Sequence, residues 1–154
     1  MPRVERGAHV SWEGNLARGV GLISATSGAF GELAYSLATR VGQPEGKTSP
    51  EELLAAAHAG CFAMSLAGEL TAADSPPQRV DVDTTITLDE RPGRGHVIVA
   101  SNVQVRGRVP GLTATGWEQA VEQADRGCTF SALLRDAGAE VHVDARLEEG
   151  TDGD

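Results

Sequence analysis

The chain has 154 residues, 40% of them hydrophobic, and a formal net charge of −9. That length suits one domain with a real core, and so acidic a balance, with no basic patch, excludes nucleic acid and anionic membrane surfaces as expected partners. Aromatic residues make up only 4%, so the core must come mainly from Ala, Val and Leu, which fits a compact domain or one that completes its burial by oligomerising.

The opening Met1-Pro2-Arg3-Val4-Glu5-Arg6 is polar and lacks the apolar stretch of a signal peptide. No segment reads as a membrane span, and the expectation is a cytoplasmic chain. Structural disulfides are uncommon there, so the two cysteines, Cys61 and Cys128, are read as chemical groups or as buried small hydrophobes.

Ala8 to Trp12 alternates, Glu13-Gly14-Asn15 turns, and Gly19 to Ser24 returns, which predicts a hairpin. A shorter strand is expected over Leu33 to Thr39, and a breaker-rich loop over Gly42 to Lys47. Ser49-Pro50-Glu51-Glu52 is then a strong helix start, with an N-cap serine, proline at the first helical position and glutamate three residues after the cap. The helix it opens, Glu51 to about Thr71, is apolar on more than one face and is expected to be buried and central.

Val80, Val82, Thr84, Ile86 and Leu88 alternate with polar residues as a half-buried strand, Asp89 to Gly95 turns, and His96 to Val109 forms a second long strand. A polar helix follows over about Thr113 to Asp125, a short helix starts at or near Cys128, and a last strand runs through Val141, Val143 and Ala145. This order predicts an α+β fold with antiparallel sheet. Residues 1–147 form the expected domain, and the acidic stretch 148–154 reads as a disordered tail.

Cys61 sits within the long helix and by position alone reads equally as a space-filling core residue. Cys128 follows Arg126-Gly127, which places its thiol near a helix N-terminus, where unpaired N–H groups favour a thiolate. His58 lies one turn from Cys61. It is read as a neighbour of the site, against a Cys–His nucleophile pair or two metal ligands. A metal site lacks further ligands, since His9, His96 and His142 fall on separate predicted strands. No metal or other cofactor is expected.

The run Gly46-Lys47-Thr48-Ser49-Pro50-Glu51-Glu52-Leu53-Leu54-Ala55-Ala56-Ala57-His58-Ala59-Gly60-Cys61-Phe62-Ala63-Met64 resembles the signature of the OsmC/Ohr family of thiol peroxidases. Arg126-Gly127-Cys128-Thr129-Phe130-Ser131 falls where that family has its resolving cysteine. Ser11-Trp12-Glu13-Gly14-Asn15, Arg18-Gly19 and Ser36-Leu37-Ala38-Thr39-Arg40 resemble its N-terminal strands. Glu52, His58 and Thr39-Arg40 place the likeness nearer the OsmC branch, although Val41 stands where an aromatic residue is common.

The resemblance implies an OsmC-like fold, with antiparallel sheets wrapped around a long central helix, and an intertwined homodimer with sites at the interface. It implies that Cys61 is the peroxidatic thiol and Cys128 the resolving one. A thiolate attacks the O–O bond and becomes a sulfenic acid, which the second thiol condenses into a disulfide. A free thiol is mostly protonated at neutral pH. Arg40 is the matching cation and Glu51 the carboxylate that would fix its fork; Arg18 is the competitor.

Glu51 and Cys61 are ten residues apart, about 15 Å at helical rise. One tight site therefore needs a second subunit or a broken helix. The implied substrate is an organic hydroperoxide, with hydrogen peroxide also open, and the implied reductant is a lipoyl-type dithiol or another small thiol. The other readings are a cysteine-pair redox sensor, a stress-related binding protein without turnover, and a Cys–His hydrolase.

Overall fold

A computed structural model of the protein describes residues 2–149. The chain divides into two compact units, Met1–Leu53 and Leu54–Asp154.

In the first unit β1 (Ala8–Glu13) and β2 (Val20–Ala25) form the expected antiparallel hairpin, and β3 (Leu33–Tyr35) adds to its other side. Trp12 and Tyr35 are both cross-strand partners of Gly21, and their rings meet at 5.6 Å between centroids. A Cβ on Gly21 would lie 2.2 Å from the Tyr35 ring, so glycine is what lets the aromatic lie flat across the strand.

The strand expected to continue to Thr39 stops at Tyr35. Ser36 caps a short helix instead, α1 (Leu37–Val41), with Thr39 returning the capping interaction. Ser36 Oγ accepts from the Thr39 N–H at 3.2 Å and the Thr39 hydroxyl accepts from the Ser36 N–H at 3.2 Å. Two orphan N–H groups are thereby satisfied.

The long helix α2 runs unbroken from Pro50 to Ala72. Ser49 caps it as expected, its Oγ accepting from the Glu52 N–H at 3.1 Å, while the Glu52 carboxylate accepts from the Thr48 hydroxyl at 3.0 Å. The helix is long and apolar enough to cross a membrane by length and composition, which corrects the expectation that no segment approaches a span. It is the long central helix expected, and its burial runs along one face. Only His58, Phe62, Leu66 and Leu70 are buried, one stripe at a spacing of four residues, and Met64 is 79% exposed.

The second unit holds the other sheet. β4 (Arg79–Arg91) pairs antiparallel with β5 (Gly95–Arg108), with a bulge at Thr87/Leu88. The turn expected over 89–95 is tighter than anticipated, since pairing continues to Arg91↔Gly95. α3 (Ala114–Gly127) and α4 (Thr129–Asp136) follow, and β6 (Glu140–Leu147) closes the sheet. β6 lies parallel to β5, so this sheet is mixed rather than wholly antiparallel. The α3–α4 segment is the long crossover that a parallel pairing requires.

The core joins the α2 stripe to Val103, Val105 and Val109, and to Trp117, Ala120, Ala124 and Cys128. It is built mainly of small aliphatic residues, as the composition implied, with Phe62 and Trp117 as its large members. Beyond β6, the Glu148 N–H still donates to Gly107 O at 2.8 Å, and residues 150–154 of the expected tail lie outside the described residues.

Candidate active site

Within the second unit, Cys61 packs from the flank of α2 against the core cluster that contains Cys128. Both thiols are free, and Cys61 is near enough to contribute to holding the Cys128 thiol above its ordinary value. The two cysteines, 67 positions apart in the sequence, are thus brought together by the packing of α2 against the α3–α4 corner.

Cys128 is fully buried and is at once the C-cap of α3 and the N-cap of α4. The sequence suggested that a helix N-terminus would favour its thiolate. Burial dominates instead and pushes this thiol above the ordinary cysteine value, with the neighbouring Cys61 adding in the same direction. The N–H and hydroxyl of Ser131 oppose that rise, so the N-terminal effect is present and is outweighed.

His58 lies on α2 one turn before Cys61. It is fully buried, with Nδ1 at 2.7 Å from Ser101 Oγ and Nε2 at 2.8 Å from Ser131 Oγ. A neutral imidazole carries one N–H, so it donates to one serine and accepts from the other. Burial holds His58 below the ordinary histidine value; the Asp125 carboxylate works against that shift and Arg135 works with it. Arg135 NH2 donates to Asp125 Oδ2 at 2.7 Å, while Asp125 Oδ1 is buried without a hydrogen-bond partner. Ser101 and Asp125 had no mark in the sequence. Ser131 alone had a clue, its place three residues after a cysteine at a helix start.

In the first unit, Arg40 and Glu51 form the pair anticipated for them. Arg40 Nε donates to both carboxylate oxygens at 3.1 Å, and NH2 donates to Oε1. Glu51 is the more buried partner, with its side chain 15% exposed against 36% for Arg40. Hydrogen bonding to Glu51 raises the Arg40 pKa further, so the guanidinium stays charged with its planar fork fixed. Arg40 lies in α1, not at a strand end. Arg18 is exposed in the β1–β2 turn, where its backbone N–H donates to Asn15 Oδ1 at 3.0 Å. Among the described residues no group of three or more His, Cys, Asp or Glu side chains could hold a metal ion.

Residues 42–144 match the family model for OsmC-like protein. The chain is 32% identical over 145 residues to peroxiredoxin OsmC of Escherichia coli strain K12, covering 94% of this chain and 98% of that protein. Among solved structures, an organic hydroperoxide resistance protein OsmC from Legionella pneumophila is 22% identical, with 96% and 100% of the two chains covered and a TM-score of 0.66. An OsmC-like protein of unknown function from Vibrio cholerae is 15% identical, with 94% and 100% covered and a TM-score of 0.75. The structural likenesses carry the fold, and the sequence match over nearly the full length carries the kinship: this chain belongs to the OsmC-like family.

Proposed function

We propose that the chain is a thiol-dependent peroxidase that reduces organic hydroperoxides to alcohols. The observation that carries the reading is that the chain's only two cysteines belong to one packed cluster, Cys128 within it and Cys61 at its edge. The peroxiredoxin name of the Escherichia coli relative supports the same chemistry.

The Cys61 thiolate attacks the terminal peroxide oxygen, an S–O bond forms as the O–O bond breaks, and the alkoxide leaves to be protonated as the alcohol. Cys128 then attacks the sulfenic acid sulfur and closes a disulfide with loss of water. An external dithiol, of lipoyl type in our reading, returns the pair to thiols. No cofactor is needed, because sulfur carries the electrons.

Arg40 is assigned the charge that favours the thiolate and steadies the departing alkoxide, and Glu51 holds its fork. Because Glu51 and Cys61 are ten residues apart on an unbroken α2, about 15 Å of helix, the assignment is across a homodimer. We place the enzyme in the cytoplasm, on its two free cysteines.

The test is consumption of cumene hydroperoxide with a dithiol reductant. Wild type should turn over, Cys61→Ser should be dead, and Cys128→Ser should react once and stall. Arg40→Met should lower kcat/KM about a hundredfold, with Arg18→Met near wild type. A wild type that consumes no peroxide with any dithiol would leave the one-shot redox sensor or the binding protein instead. Activity in Cys61→Ser would remove the assigned nucleophile.

A further inference from the structure

Cys128 is the single residue between two helices. It ends α3 and begins α4 with extended backbone, and α4 has no side-chain cap hydrogen bond there. The corner that carries the resolving thiol is therefore not fixed by its own helix start. Ties from α2 supply what the corner lacks. His58, Cys61 and Ser65 stand at i, i+3 and i+7 on that helix, one row of neighbours along a single face. The two polar members of the row reach to either side of Cys128.

Ser65 Oγ donates to Ala124 O at 2.8 Å. That carbonyl belongs to the last turn of α3, in a residue with no exposed surface. Its ordinary helical partner, the Cys128 N–H, donates to Asp125 O instead at 3.3 Å. Ser65 thus provides the donor that a buried helix end needs. It also lies against the residue before the cysteine, since a Cβ on Gly127 would stand 3.4 Å from Ser65 Oγ.

On the other side, His58 Nε2 is 2.8 Å from Ser131 Oγ in α4, and Nδ1 is 2.7 Å from Ser101 Oγ on β5. The Ala132 N–H donates to Cys128 O at 3.1 Å, so the turn that contains Ser131 is closed on the cysteine's own backbone. Holding Ser131 therefore holds Cys128 through the main chain. His58, Ser101 and Ser131 have no exposed surface, and breaking one of these bonds would strand a buried polar group.

We propose that Ser65 and His58 are positioning residues for the resolving step: from either side of Cys61 they tie the end of α3 and the start of α4 to α2, and so hold Cys128 against Cys61. The proposal rests on the hydroperoxide-reductase reading. Neither residue exchanges a proton or an electron in the step.

The step they govern is a race. Once Cys61 is a sulfenic acid, the Cys128 sulfur can attack it. The Cys128 S–H and Cys61 S–O bonds break, the S–S bond forms, and water leaves. A second hydroperoxide can instead pass its terminal oxygen to the Cys61 sulfur, giving a sulfinic acid and another alcohol. Closure is intramolecular, so its rate follows how often the two sulfurs are held in attacking geometry. The second oxidation is bimolecular and does not depend on where Cys128 stands.

The experiment oxidises the reduced full chain with rising cumene hydroperoxide and separates disulfide from sulfinic acid by mass spectrometry. In Ser65→Ala the hydroperoxide concentration that gives half sulfinic acid should fall about tenfold. The rate of the first oxidation at Cys61 should stay at the wild-type value. Ser131→Ala, which cuts the other tie, should shift the partition the same way, and it decides the question if Ser65→Ala does not fold. Ser65→Thr, which keeps the hydroxyl, should restore the wild-type partition.

Leu70→Val trims a fully buried position of α2 outside that row. It should lower Tm and leave the partition as it is in wild type. An unchanged partition in either folded serine-to-alanine variant overturns the two-sided clamp. An equal shift in Leu70→Val also overturns it, because general loosening would then be the cause. Failure to form any sulfenic acid at Cys61, tested by trapping in Cys128→Ser, overturns the hydroperoxide reading and the clamp's role with it.

Discussion

His58 is the residue where burial sets how stability depends on pH. An imidazole with no exposed surface is favoured neutral by its burial, so its folded pKa lies below the ordinary 6.5. Unfolding exposes it and lets it bind a proton that the folded chain refuses. Stability is therefore fully present above about pH 6.5 and is lost as pH falls from there through the folded value. Thermal unfolding should show a Tm that declines between pH 7 and pH 5. His58→Gln should flatten that decline while lowering Tm at neutral pH. A decline of equal steepness in the variant would assign the acid sensitivity to other groups. None of this was legible in the sequence, because the two serines that hold the ring lie 43 and 73 residues away. A histidine one turn from a cysteine invites a pairing between those two. The packing instead holds the ring between Ser101 of β5 and Ser131 of α4.

At the scale of elements, local signals were legible and tertiary ones were not. The start of α2 could be read because Ser49, Pro50 and Glu52 act within one turn on their own backbone. α1 escaped because five residues are too few to show a helical period, and its evidence lay in the Ser36–Thr39 spacing alone. The parallel course of β6 escaped because strand direction depends on where α3 and α4 deliver the chain, not on alternation within the strand. The contact of α3 with the sheet is similarly invisible in sequence and severe in structure. A Cβ on Gly107 of β5 would lie 2.3 Å from the Trp117 ring, and Trp117 is a core residue only 3% exposed. The ring is packed in the core, so overpacking should cost about 1–3 kcal/mol. Gly107→Ala should accordingly lower the urea midpoint with an unchanged m-value. A midpoint equal to wild type would mean that α3 shifts on the sheet at no cost.

For the whole molecule, the question is what covers the apolar surface left open. In the three-stranded sheet, cross-strand partners share a face. Val10 and Ile23 lie with Trp12, Gly21, Tyr35 and Leu33 on one side, while Leu22 pairs with Ser11 and Ala34, alongside Val20, on the other. Both sides are therefore apolar in part, and Val10, Trp12, Val20 and Leu22 are 47%, 37%, 44% and 36% exposed. A solvated antiparallel sheet ordinarily keeps one face polar. The long helix carries the same imbalance, apolar beyond its one buried stripe and with Met64 open to solvent. Patches of this kind in a soluble chain mark association surfaces, which supports the proposed homodimer. The mass by sedimentation equilibrium should be about twice 16.0 kDa. Leu22→Asp, which places a charge on the sheet face without touching either cysteine, should shift the population toward monomer. If Arg40 serves Cys61 across the dimer, peroxidase activity should then fall with dilution in that variant and recover at high protein concentration. A wild-type mass of one chain at every concentration would remove the dimer and with it the cross-subunit assignment of Arg40. A monomeric variant with full activity would remove only the second of these, and Arg40 would have to reach the thiol from its own chain.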